Sequence, residues 1–108
     1  MSRAVADTSD LWRRVINRLE WVAWVPSTTT LHPDGGWVIV LSQRGGLFVG
    51  IPIIECLPGG KAVVLKKRTF VGARVIERWD DVGSVKAKAI VDAATRLAGR
   101  EGHRYGRR

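Results

Sequence analysis

A series of short apolar runs between residues 37 and 68 most constrains what this chain can fold into. The runs are rich in β-branched and aromatic residues, as strands of a sheet are, and they occupy residues 37–41, 47–49 with 51–54, and 62–65. Glycine-rich breaks at 44–46 and 58–60 separate them, and such breaks join antiparallel strands. The series ends in the cations Lys66, Lys67 and Arg68. We therefore predict a twisted sheet with a basic margin.

An amphipathic helix is predicted before this sheet, over residues 10–20. Leu11, Val15 and Leu19 recur at helical spacing, and Arg13 and Arg14 belong to the opposite, basic face. Either Thr8 or Ser9 is suited to cap its first turn, where Asp10 would favour the helix dipole.

A second helix is predicted after the sheet, from residue 82 or 84 to residue 98. Asp80 and Asp81 precede it, Gly99 suits its C-terminal cap, and an alanine-rich stripe runs along it. Alanine permits close packing on the sheet or on a helix of a second copy.

The segment 21–25 is predicted as a first strand that Pro26 ends, with Trp21 and Trp24 on opposite faces. A tight turn is predicted at 32–36, and Gly50 and Pro52 predict a bulge or bend before residues 53–57. The predicted fold class is α+β, with a small antiparallel sheet of about four strands flanked by an N-terminal helix and a longer C-terminal helix.

The predicted domain organisation is a flexible arm at 1–9, a single α+β nucleic-acid-binding domain at 10–99, and a basic flexible tail at 100–108. A chain of 108 residues can bury one real core. No apolar stretch approaches the roughly 18 residues that span a membrane, and Asp7 and Asp10 interrupt any signal-peptide core. We therefore expect a cytoplasmic protein without a membrane partner.

Charge points to the class of partner. Eighteen lysines and arginines against ten acids give a net charge of +8 and a pI near 10.8. A polyanion is thus the expected partner, and nucleic acid is the commonest one. Between residues 61 and 79 there are six basic residues and one acid, Glu77, in a stretch that also contains Phe70 and Trp79. Cations that track phosphates beside rings that accept bases suit sequence-tolerant single-strand binding.

The sequence gives little support for an enzymatic function. The chain lacks a Walker loop, a dinucleotide fingerprint and a metal-ligand cluster, so we predict a non-enzymatic protein without cofactor or metal. The single cysteine, Cys56, excludes an internal disulfide and is predicted to be a small core or edge residue. A dyad of Cys56 with His32 or His103 stays open as a minor alternative, and the lack of clustered acids disfavours a nuclease.

Five tryptophans, at positions 12, 21, 24, 37 and 79, are many for so small a chain. With the order of elements and the basic margin, they resemble the layout of the archaeal ThermoDBP-related single-stranded DNA-binding proteins. The resemblance covers about residues 10–98 and includes no diagnostic motif. It implies an oligomeric binder of single strands, with a sheet-lined cleft that has an apolar floor and basic rims. The composition, rich in arginine, valine and glycine with few amide residues, also suits a thermophilic protein.

The resulting hypothesis is sequence-tolerant binding of single-stranded DNA, with RNA as an alternative, by stacking in that cleft. The floor candidates are Trp21, Trp24, Trp37 and Phe48, of which some must be core residues because alternation cannot place all four on one surface. The rim candidates are Arg44, Lys61, Lys66, Lys67, Arg68, Arg74 and Arg78. The alternative is a structural or partner-binding module with internal tryptophans and no nucleic-acid role. A homo-oligomer, assembled through the alanine-rich helix, is also expected.

Overall fold

The structure is a computed structural model that describes residues 3–21, 26–41 and 51–105, with side chains for 8–20, 29–41 and 51–98. In these described ranges, one helix precedes five strands and a second helix follows them. The elements are α1 (Arg3–Trp21), β1 (Pro26–Leu31), β2 (Trp37–Leu41), β3 (Pro52–Cys56), β4 (Val63–Thr69), β5 (Gly72–Trp79) and α2 (Ala87–Tyr105). This confirms the predicted α+β class, with five strands instead of about four.

The five strands form one antiparallel sheet in the order β1-β2-β3-β4-β5, so each strand pairs with its neighbour in the chain. The β1–β2 connection contains the predicted turn at 32–36, where the Gly36 N–H donates to the Asp34 carboxylate at 2.9 Å. The break between β3 and β4 is a 3-10 turn, Pro58–Gly60. Gly59 has a φ of 75° there, which favours glycine.

One face of the sheet meets both helices, and we call it the inner face. Its central residues are Trp37, Ile39, Ile54 and Leu65, all at most 1% exposed. Strand alternation places every second residue on this side, and the apolar stripes of α1 and α2 cover it. Fully burying one such aliphatic side chain contributes about 1.5–3 kcal/mol, so this layer dominates the stability of the fold.

Helix α1 carries the predicted amphipathic pattern. Leu11, Val15 and Leu19 are buried, whereas Arg13 and Arg14 are exposed. The helix nevertheless starts at Arg3 instead of residue 10, so the arm predicted at 1–9 is helical from Arg3 onward. Alanines at positions 4 and 6 favour helix, and the predicted cap residue Thr8 is instead buried within it. The two helices therefore have equal lengths of 19 residues, and α2 is not the longer one.

The strand predicted at 21–25 is wrong in its position. Trp21 is the last residue of α1, and residues 22–25 lie outside the described part of the chain. Pro26 was predicted to end the strand at 21–25, but it is the first residue of β1. Proline is tolerated at the first position of an edge strand. Threonines at 28–30 then suit an exposed edge, being β-branched and polar. The bulge predicted near Gly50 lies outside the described residues.

Four differences occur in the C-terminal half. Residues 72–79, predicted only as a basic and aromatic stretch, form the strand β5. Helix α2 starts at Ala87 and not at residue 82 or 84, because the Ser84 and Val85 N–H groups donate to the Asp81 carbonyl in a separate turn. Gly99 is inside α2 and does not cap it, and the tail predicted as flexible is helical to Tyr105.

Candidate nucleic-acid interface

Trp37, predicted as part of a binding floor, is a core residue. It is 0% exposed on the inner face, and its indole Nε1–H donates to the backbone carbonyl of Thr8 at 3.0 Å. Alternation along β2 places it on the same side as Ile39 and Leu41, under the helices. A buried indole needs such a partner, and a base cannot reach its ring. The prediction for Trp37 is therefore wrong.

Four other predicted site residues cannot be placed. Trp24, Phe48 and Arg44 lie outside the described residues, as does the side chain of Trp21. The other two described tryptophans border the core. The Trp12 Nε1–H donates to the Thr29 hydroxyl at 3.0 Å, and Trp79 is half-buried on the inner face. None of the three described tryptophan side chains is thus a freely exposed platform.

The most exposed described aromatic ring belongs to Phe70. Thr69 pairs with Gly72, so Phe70 and Val71 are the two residues of the β4–β5 turn, which we call the tip. They are 89% and 96% exposed. The Val71 N–H donates to the Thr69 hydroxyl at 3.3 Å, and Gly72 has a φ of 144°, a conformation that favours glycine. From the sequence, Phe70 is predicted as a ring beside the cations but is not among the floor candidates, although a glycine directly after an apolar pair is a weak signal of a turn.

Four of the predicted rim cations lie just below the tip. Lys67 is directly opposite Arg74, Arg68 is opposite Ala73, and Lys66 is opposite Val75. Because successive strand residues alternate, Lys67 and Arg74 belong to one face of the hairpin, and Lys66 and Arg68 to the other. These four residues form what we call the cation band, which surrounds the hairpin on both faces.

The remaining rim cations are more distant from the tip. Arg78 is opposite Val64 at the base of the hairpin, and its Nε donates to Asp80 at 2.6 Å. Lys61 is exposed ahead of β4, and the seven residues of β4 span roughly 20 Å. Within the band, Lys66 also forms an ion pair with Glu55 on the neighbouring strand, with 2.6 Å between Nζ and Oε1. The six described cations of the predicted rim therefore do not form one continuous rim.

The outer face of the sheet, opposite the helices, has an apolar centre. Val38, Val40 and Ile53 are half-buried there, and Val64 is 2% exposed beside the Glu55–Lys66 pair. In the registers of β2 to β5, no described aromatic residue falls on this face. The described part of the outer face therefore offers apolar contact but no ring on which a base could stack.

An open cavity of about 610 Å³ lies between the end of β5 and the start of α2. Its charged lining includes Asp80, Asp81, Lys86, Lys88 and Asp92, beside Trp79. The Lys88 Nζ donates to Asp92 at 2.7 Å, and this hydrogen bond holds the pKa of Asp92 below its usual value. The mixed charge makes the cavity a poor match for a polyanion.

Cys56 is confirmed as a small core residue. It is 1% exposed, and burial raises the pKa of its thiol to about 11, with smaller contributions from the charges of Asp34 and Glu55. A thiol that stays protonated at neutral pH is a poor nucleophile. His32 is an exposed turn residue, and the described residues contain no group of three metal-ligating side chains placed to hold an ion.

Neither described helix is long and apolar enough to cross a membrane. Comparison of the chain with models of protein families, with curated proteins and with solved structures finds no match. Residue chemistry and geometry are therefore the basis for any statement about function.

Proposed function

We propose that this chain binds single-stranded nucleic acid, with little sequence preference, through the distal half of the β4–β5 hairpin, residues 66–75. The observation that carries the proposal is the cation band. Residues 66–75 contain four cations and no acid, in a chain with a net charge of +8. Such a local excess of positive charge, on a hairpin that ends in an exposed tip, is well suited to phosphate groups.

The register of the hairpin adds a physical argument. Lys67 and Arg74 are directly opposite each other on one face of the hairpin, so one phosphate group could lie within reach of both side chains. Since the band has cations on both faces, a flexible polyanion can meet positive charge from either side of the hairpin.

A single strand fits this surface better than a duplex does. Single strands expose the faces of their bases, and the hairpin combines cations with an exposed aromatic residue, Phe70. DNA is the first candidate and RNA the alternative. The proposed binding differs from the cleft implied by the resemblance to ThermoDBP-related proteins, because Trp37 is excluded from contact with bases.

The test is a salt series with a labelled oligo-dT of about ten nucleotides, followed by fluorescence anisotropy. Lys67→Gln/Arg74→Gln removes two cations of the band. Arg13→Gln/Arg14→Gln removes two exposed cations from α1 and serves as the matched control. For single strands the slope of log K against log salt changes by about 0.7 per phosphate contact, so the hairpin variant should have a slope shallower by about 1.4.

The outcomes separate specific from generic charge effects. The control variant should retain most of the affinity and the slope, and a duplex of the same length should bind more weakly than oligo-dT. Absence of oligo-dT binding by the wild-type protein at low salt would refute the proposal. Equal losses in both double variants would show that only overall charge matters.

A second candidate is a structural or partner-binding module without a nucleic-acid role. The burial of Trp37 and the inward positions of Trp12 and Trp79 favour it, because these rings are accounted for by packing. Assembly through the alanine-rich helix has less support than expected. Ala93 and Ala94 are buried inside the chain's own core, so they are not available to a second copy. A homo-oligomer remains a prediction, and sedimentation would test it.

A further inference from the structure

The tip of the β4–β5 hairpin is unusual in its residue types. Two-residue hairpin turns favour glycine, asparagine and aspartate, yet here the two positions hold Phe70 and Val71. At 89% and 96% exposed, these side chains gain little from packing within the fold. Among the described side chains, the other exposed large apolar residues, Leu31 and Val75, are only about half as exposed. Folding alone therefore does not explain an aromatic residue at this position.

The surroundings of the tip indicate which ligand its ring meets. Counting from the Thr69–Gly72 pair, Arg68 lies one residue pair away and the Lys67–Arg74 pair lies two away, which is roughly 7 Å along the strands. An exposed ring this close to several cations can accept a base while the cations contact the flanking phosphates.

We propose that Phe70 is the residue on which a base of the bound strand stacks, with Val71 as an apolar flank. This inference rests on the proposed function and deepens it, because it assigns the stacking site to the tip instead of a cleft on the sheet. Stacking needs only a ring face, so contact at the tip would be tolerant of base identity.

A lipid surface is the main competing ligand for an apolar tip flanked by cations. Two observations favour a nucleic-acid strand. The cations of the band occupy both faces of the hairpin, whereas a planar surface would meet only the end of the hairpin. The apolar part of the tip also consists of only two residues, a small area for insertion among acyl chains. Vesicles are accordingly included in the test.

The experiment measures the affinity and base stacking of Phe70→Ala, Phe70→Leu and Phe70→Trp with oligo-dT that carries one central 2-aminopurine. We expect Phe70→Ala to bind about tenfold more weakly and to lose most of the change in 2-aminopurine fluorescence, with an unchanged salt slope. Phe70→Leu should resemble Phe70→Ala, and Phe70→Trp should retain wild-type binding. Leu31→Ala, which shortens a partly exposed apolar residue away from the hairpin, is the matched control and should bind like the wild type.

The results test stacking on Phe70 separately from the proposed binding of nucleic acid. If Phe70→Ala binds like the wild type while Lys67→Gln/Arg74→Gln still weakens binding, the stacking site is overturned and the proposed function stands. If the wild type binds no oligonucleotide, both fall. Binding to phosphatidylserine vesicles that is lost in Phe70→Ala, without any oligonucleotide binding, would make the tip a lipid contact and overturn the inference.

Discussion

The two halves of the β4–β5 hairpin differ in burial and in charge. In the proximal half, Val63, Val64 and Leu65 are at most 2% exposed, and Val63 lies in an inner-face row with Trp37, Cys56 and Trp79. In the distal half, residues 66–75 carry the cation band and the exposed tip. A shift in register between Leu65 and Lys66 marks the boundary. Substitutions in the proximal half should therefore change stability, whereas substitutions in the distal half should change the proposed ligand contact.

The largest expected effect is on stability in the proximal half. Leu65→Ala should lower the free energy of unfolding by about 2–5 kcal/mol, because it removes a fully buried side chain and leaves a cavity under the helices. Val75→Ala in the distal half should cost less than about 1 kcal/mol, since that side chain is 52% exposed. Urea unfolding of both variants measures the contrast, and similar losses would contradict the division of the hairpin.

The next effect concerns Cys56, the inner-face neighbour of Val63. Burial raises the pKa of its thiol from 9.0 to about 11, so between these values the folded state binds more protons than the unfolded state. Stability should therefore fall as the pH rises through this window, by up to about 2 kcal/mol, and should be unaffected by this thiol below it. Urea unfolding from about pH 8 to about pH 11 measures the loss.

Cys56→Ala is the control for this pH dependence, because it retains every lysine and tyrosine that titrates in the same range. The variant should have a smaller loss of stability on alkalinisation than the wild type. Identical pH profiles would show that the thiol is not protonated more strongly in the folded state.

Trp37→Phe should have an intermediate effect that is confined to stability. The substitution removes the donor to the Thr8 carbonyl and part of a buried ring, which should cost about 1–3 kcal/mol in urea unfolding. The affinity of the folded protein for oligo-dT should not change. A loss of affinity without a loss of stability would revive the prediction that Trp37 contacts bases.

The smallest effect is expected from Glu55→Gln, which releases Lys66 from its ion pair with the neighbouring strand β3. Stability should fall by no more than about 1 kcal/mol, as is usual for a partly exposed pair. Oligo-dT should bind more tightly, with a salt slope steeper by about 0.7, if Lys66 then contacts a phosphate. Anisotropy measures this change, and weaker binding would place Lys66 outside the interface.

Buried elements of the fold could be predicted from the sequence more accurately than exposed ones. Strand β2 was predicted at its observed bounds, because both of its faces are apolar and a glycine pair precedes it. Strand β5 was missed because it is an edge strand with mostly exposed residues, so no alternation of polar and apolar residues marks it. Residues 21–25 were predicted as a strand because residues such as Trp21 have a high strand propensity. Trp21 is instead the last residue of α1.

The cations of the candidate site were predictable from the sequence, but their arrangement and the place of the aromatic residue were not. The excess of cations between residues 61 and 79 is evident from the sequence. That Lys67 faces Arg74 and that Phe70 occupies the tip depend on the register of β4 with β5, which local patterns do not determine. The burial of Trp37 likewise depends on which side of the sheet the helices cover.

The order of the sheet has a consequence for how the chain is made. Every strand pairs with its neighbour in the chain, so the sheet can grow hairpin by hairpin during synthesis. Its inner face, however, is completed by α2, which contacts β3, β4 and α1. Until residues 87–105 have left the ribosome, Ile54 and Leu65 lack the part of their cover that α2 supplies, and the nascent sheet exposes an apolar surface that chaperones and other nascent chains can bind.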